Sequence, residues 1–566
     1  MGVLAAADVR LDAAPVDYVL LALYFVLVLG IGVLARRQVS TSLDFFLSGR
    51  SMPAWVTGLA FVSANLGAIE VMGMSANGAE YGMPTAHYFW IGAVPAMLFL
   101  GIVMMPFYYG SKVRSVPEFM LRRFGRPAHL LNGLSFAAAQ ILIAGANLFL
   151  LAKVINLLLG WPIWVSVVIA AAIVLLYTTI GGLSAAIYNE VLQFFVIIAA
   201  LLPLTIVGLY KVGGWGGLVD KVTSSPNGAS QLSSWPGNEL TGFSSNFLSA
   251  LGLVFGLGFV LSFGYWTTNF VEVQRAMASK SMSAAKRTPI IGAFPKIFIP
   301  FIVIIPGMIA AVTVTELAGA NKVALLNDKA APSGADFNDA LLLLMRDLLP
   351  NGILGVAIAG LLASFMAGMA ANISSFNTVF TYDVWQAYIK KGRSDGYYLR
   401  VGRVVTALAA ILAIGTAFVA ASYANLMDYL QQLFSFFNAP LFATFILGMF
   451  WKRMTPHAGW SGLASGTLAA VTVSVLAETG VLQLPGQGAS FVGAIAAFVV
   501  DIVVSVVVSY CTRPLPAESL HGLVYSLTPK ESLRHATTGE DRGWYRSPGL
   551  LAGIALVVTI ALNFIF

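Results

Sequence analysis

Two ionisable side chains lie where charge is expensive. Glu70 sits in the middle of the apolar run from Gly58 to Met74, and Lys296 lies inside another that begins near Pro289. A charge at the centre of a helix in lipid costs at least about 2.5 to 3.5 kcal/mol unless it meets a partner or water. Small and polar residues gather in the same kind of setting. Ser63, Asn65 and Gly67 precede Glu70; Ser262, Gly264, Tyr265, Thr267, Thr268 and Asn269 form a second group; Ser364, Gly368, Asn372, Ser374, Ser375, Asn377 and Thr378 form a third. Lipid offers such groups no partners, so they point to a cavity that binds an ion or a polar solute. Close helix packing is the other use for Gly, Ser and Thr here, and Glu70 with Lys296 also reads as a structural ion pair. The chemistry is binding rather than bond-making. One cysteine, Cys511, and five scattered histidines give no metal or haem pair, so an enzyme with a metal or organic cofactor is not expected.

The elements that must position these groups are membrane helices. Of 566 residues 58% are hydrophobic and only 10% charged, with a mean hydropathy of +0.83, outside the range of soluble domains. Stretches of about 20 apolar residues predict fourteen spans, near 17-35, 55-75, 86-107, 131-152, 160-180, 188-210, 246-270, 289-315, 352-383, 402-421, 427-450, 457-477, 489-510 and 548-566. The first is too long for a signal-peptide core and is followed by Arg36 and Arg37, so it is expected to be retained. Twenty-four of the 32 Lys and Arg fall in one set of loops, which places that set in the cytoplasm and both termini outside. The net charge of +7 is therefore a topology signal; lipid is the expected environment, with no nucleic-acid partner and no obligate protein partner. Spans two and seven carry the polar breaks and are five apart, as two inverted five-helix repeats require, with helix ends and free carbonyls meeting ion and solute near the midplane. The resulting division is an extra helix in 1-40, repeats at 54-210 and 246-450 separated by an outer loop at 211-245, and C-terminal helices in 451-566 with a cytoplasmic loop at 511-547.

Several segments resemble the sodium:solute symporter family, closest to its bacterial sodium/galactose (sodium/glucose) cotransporter branch. They are Phe45 to Pro53, Ser63 to Leu66, Val116 to Phe119 with Arg122 to Phe124, Ile180 to Ala185, Gln274 to Ser281, Phe380 to Asp383 and Leu447 to Lys452, in the family's order. The resemblance implies an all-α leucine-transporter-like 5+5 core with extra helices. It also implies alternating access and symport of a small molecule, a sugar or similar polar organic solute, with sodium across the cell inner (plasma) membrane.

Carried over residue by residue, it places the sodium site on the carbonyls of Ser63, Leu66 and Ser364 and on positions 367 and 368. This chain has Ala367 and Gly368 where the family usually has two hydroxyls, and Glu190 where an Asp usually lies near the ion path. Sodium takes hard oxygen ligands, so two are missing. The alternatives are proton coupling through Glu70 or Glu190, because a carboxyl in a dry cavity titrates higher, or an ion-independent facilitator of a non-sugar solute. For the solute, the resemblance implies Glu70, Lys296 and Gln431 as binding groups, Tyr265 as an inner-gate aromatic and Met74 and Tyr88 as the outer gate. Phe89, Gly92, Ser262 and Met427 replace residues of other types. Each unmatched buried polar group costs about 1 to 3 kcal/mol, so the sugar site is thinned.

Overall fold

A computed structural model describes residues 11, 13–36, 48–110, 113, 115–328, 331–529 and 543–566, and leaves out the side chains of some helical residues, among them 176–182 and 184–185. The expected segment 1-40, the motif beginning at Phe45, the motif around Ile180 and the loop 511-547 therefore lie partly outside the described residues. Among those described, every regular element is helical. Eleven helices are long and apolar enough to cross a membrane, or twelve if one bent pair counts as a single span; Pro15–Ile31 and Ile163–Leu175 are shorter apolar stretches.

In chain order the helices that build the body are α1 (Pro15–Arg36), α2 (Ala54–Asn65), α3 (Ile69–Glu80), α4 (Met83–Gly110), α5 (Arg126–Leu159), α6 (Ile163–Val212), α7 (Asn246–Thr268), α8 (Phe270–Met277), α9 (Met282–Thr313), α10 (Ile353–Ile389), α11 (Asp395–Ala420), α12 (Leu426–Phe450), α13 (Pro456–Glu478), α14 (Gly488–Cys511) and α15 (Pro548–Ile565). Burial sorts them. The apolar window of α10 is 89% buried and that of α15 only 17%, so α10 is the central post and α15 a peripheral stave. The small residues Gly360, Ala363, Ala367, Gly368, Ala370 and Ala371 let neighbours approach α10 closely. α1 is tied to its start: the buried Asp17 Oδ1 accepts from the Gly352 and Gly355 amides, 2.7 Å each, satisfying donors that a helix N-terminus leaves open.

The two expected breaks are present. α2 and α3 are bent by 60° across Leu66 to Ala68. α7 gives way to α8 at Asn269, which is extended (φ −72°, ψ 118°) and whose side chain caps α8 by accepting from the Val271 amide at 3.0 Å. Wide π-helical turns lie beside these breaks, at Ile69–Gly73, Tyr88–Ala93 and Gly252–Ser262. Such turns free backbone groups and re-aim side chains, often at functional sites.

Candidate functional site

A central cavity opens where the α2–α3 bend faces α7, α9, α10 and α12. Glu70, Tyr88, Ser262, Tyr265, Lys296, Gly368 and Gln431 line it, so six of the eight expected solute residues come together. Phe89 stands behind the wall with its ring 5.1 Å from Lys296 Nζ, and Trp266 flanks the same ammonium at 5.1 Å. Met74 is fully buried and contacts Asn77 Nδ2 through its sulfur at 3.8 Å rather than lining the cavity.

The charges pair. Lys296 Nζ donates to Glu70 Oε1 at 2.7 Å and to Asn65 Oδ1, with the lysine side chain 1% and the glutamate 14% exposed. Asn65 Nδ2 then donates to Tyr265 OH (3.0 Å), which donates to Glu272 Oε1 (2.7 Å). One polar chain thus runs from α3 through α9 and α2 to α7 and α8, across both breaks. The Tyr265 ring leans on Phe434, centroids 4.6 Å apart, beneath the cavity. Gly92 and Ser262 fit as a pair, since a Cβ at Gly92 would overlap the Ser262 hydroxyl.

Two of the expected sodium positions meet. Ser364 Oγ donates to the Leu66 carbonyl at 2.6 Å, so the bend of α2 meets α10 at that point. Ser63, Ala367 and Gly368 are buried, and among the described residues Ser63 Oγ has no hydrogen-bond partner. Glu190 lies elsewhere in the network: on α6, fully buried, it forms a two-pronged pair with Arg275 of α8, at 2.5 and 3.3 Å. The neighbouring Gln274 bridges α8 to Thr378 and Ser375 of α10, both at 3.0 Å.

Several participants escaped the sequence reading. Asn65 was legible as polar, but its link between Lys296 and Tyr265 was not. Asn147 is a single amide in the apolar stretch Ile141 to Ala152, and a polar group in a span is the signal that could have found it; Glu272, next to Gln274 and Arg275 and beyond the seventh expected span, carried no such signal. Gln487 is reached by Tyr88 OH and itself donates to Asn77 Oδ1 (3.2 Å) and Asp428 Oδ1 (2.7 Å), closing one end of the cavity. His87, which its place at a helix start suggests is exposed to water, is instead fully buried against the Trp235 ring, centroids 4.1 Å apart.

Comparison with known proteins agrees with this architecture. A sodium/glucose cotransporter of Vibrio parahaemolyticus is 28% identical over 83% of this chain and 86% of its own length. Sodium/glucose cotransporter 4 of Danio rerio is 30% identical over 92% and 82%. Among solved structures, the substrate-bound outward-open state of a Na+-coupled sialic acid symporter superposes with a TM-score of 0.71, covering 89% of this chain and 99% of that one at 21% identity, a likeness of fold. The sodium:solute symporter family model matches residues 45–466. With the helices and cavity described above, that match makes the chain a multi-pass membrane transporter rather than an enzyme, and it belongs to the sodium:solute symporter family.

Proposed function

We propose that the chain is a sodium-coupled symporter of a sugar or a similar small polar organic solute, working by alternating access in the plasma membrane. The observation that carries this reading is the cavity at the α2–α3 bend, where the Glu70–Lys296 pair, Gln431 and Ser262 face solute while the Leu66 carbonyl and Ser364 meet beside it. Charged and amide groups in a mostly apolar enclosure suit a ligand with several hydroxyls. Tyr265 and Tyr88 gate the cavity at opposite ends, Met74 stiffens the α3 wall and Phe89 braces Lys296. Sodium is the proposed coupling ion, held through the carbonyls of Ser63, Leu66 and Ser364 where the helix passes Ala367 and Gly368; no organic cofactor enters the scheme.

Fourteen crossings with both termini outside fit the hydrogen bonds. Asn156 reaches the Trp161 carbonyl at the start of α6 (2.6 Å), Tyr18 reaches Leu158, and Asp17 beside it caps Gly352. Lys211, at the other end of α6, reaches the Asp347 carbonyl (3.5 Å), so both ends lie near one segment and the 50 residues suit two crossings. The C-terminal Phe566 carbonyl accepts from Ser234 (3.0 Å), on the face of the 211-245 loop. With this arrangement we propose the division into repeats 54-210 and 246-450, flanking segments 1-40 and 451-566, and a cytoplasmic loop at 511-547. The lipid bilayer is the only other partner proposed.

Uptake into proteoliposomes tests the reading. Labelled galactose and glucose are followed with an inward sodium gradient, with choline in its place, and with a proton gradient alone. Sodium-driven accumulation is the expected result. A second reading, favoured by Ala367 and Gly368, has protons couple through Glu70 or Glu190 or no ion couple at all. Accumulation with the proton gradient alone, or equilibration without accumulation, replaces the first reading with the second.

A further inference from the structure

The crossing of α2 and α10 explains why position 368 carries no hydroxyl. Gly67 and Gly368 meet backbone to backbone: a Cβ on Gly368 would lie 2.9 Å from Gly67 Cα, and one on Gly67 would lie 3.1 Å from Gly368 Cα. No side chain fits there without moving a helix. A different oxygen occupies the flank of this crossing. Asn147 of α5 is 3% exposed, and its Oδ1 lies 3.1 Å and 3.2 Å from those same two Cβ positions. Its amide orientation is fixed, because Nδ2 donates to the Ile143 carbonyl at 3.1 Å, which turns Oδ1 toward the glycines. Among the described residues that oxygen has no hydrogen-bond partner, although a buried acceptor loses free energy when left unmatched. Gly67, Asn147 and Gly368 all line the central cavity, which gives an ion a route to it.

We propose that Asn147 Oδ1 is the side-chain ligand of the coupling sodium ion, supplied from a third helix in place of the hydroxyl that the α2–α10 crossing excludes. This rests on the sodium-coupled reading above. A carboxamide oxygen is a hard, neutral donor that suits a small alkali cation. It does not take up a proton near neutral pH, so a site built on it selects a metal ion over a proton. Ser364, on the same face of α10 one turn before Gly368, contacts the Leu66 carbonyl at 2.6 Å.

The test is radioactive 22Na+ binding to the purified full-length transporter in the absence of solute, read by scintillation proximity with cold Na+ as competitor. The wild type is expected to bind saturably, and Asn147→Ala to weaken apparent sodium affinity at least tenfold. Asn147→Asp is expected to keep binding and to make it fall as pH is lowered, because protons then compete at the new carboxylate. Unchanged affinity in Asn147→Ala, with a binding wild type, overturns the role of Asn147 and leaves sodium coupling standing. A wild type that binds no sodium overturns both. Where Asn147→Ala does not fold, Asn147→Asp decides alone: a sodium affinity independent of pH overturns the proposal.

Discussion

The Lys296–Glu70 pair is open to a quantitative test. At 2.7 Å the attraction is about 6 kcal/mol for an effective dielectric constant of 20, most of it offset by desolvation. Removing one partner of a buried pair leaves the other charge stranded, at about 3 to 5 kcal/mol. Glu70 keeps 14% exposure to the cavity, so water relieves part of that cost and about 3 kcal/mol is expected for Lys296→Met. Glu70→Gln strands an ammonium that still has Asn65 Oδ1 and the faces of Phe89 and Trp266, and about 2 kcal/mol is expected. The double variant removes both charges and is expected to cost at least about 2 kcal/mol less than the sum. Chemical denaturation midpoints in one detergent give the cycle, and solute uptake runs in parallel. If the pair serves the solute, the double variant regains stability but not uptake; regained uptake would make it a structural clasp. Single-variant costs that add within about 0.5 kcal/mol would refute the coupling altogether.

Three further outcomes follow from local geometry. Gly368→Ala drives a Cβ to 2.9 Å from the Gly67 backbone and is expected to lower stability by about 1 to 3 kcal/mol, measured as a lowered melting temperature; an unchanged melt would mean the helices part freely there. Asp17→Ala removes the acceptor for two α10 amides and is expected to cost about 2 kcal/mol, with faster hydrogen exchange at Gly352 and Gly355 as its signature. Lys322, in the loop between α9 and α10, is buried against Gln231 (2.9 Å) and Ser225 (3.3 Å), and burial holds its ammonium down at about 8 instead of 10.5. The unfolded chain therefore binds more protons between those values, so stability rises as pH rises from about 8 to 10.5, by at most about 3 kcal/mol. Lys322→Met is expected to flatten that part of the melting-temperature profile, and a slope that persists in the variant would assign it to another group.

Hydropathy alone marked the helices, because a span must be apolar for about 20 residues whatever its neighbours do. The break near Glu70 was legible for the same reason, since Asn65, Gly67 and Glu70 have no place in an unbroken lipid-facing helix. Lys296 announced itself as a charge in need of a partner, and the partner, Glu70, is 226 residues away. Other features depended on packing that no periodicity encodes. Ala367 and Gly368 read in the sequence as two lost ligands; in the structure the glycine is the condition for α2 and α10 to touch. Glu190 read as an acid near an ion path and a candidate for proton coupling; in the structure it is paired with Arg275. Asn147 was one amide in an apolar run until the fold aimed its oxygen at the glycine crossing. Spans are decided by local transfer free energy, which a sequence carries residue by residue. Which polar atoms meet is decided by helix crossings a few ångströms wide, and those exist only once the helices are packed.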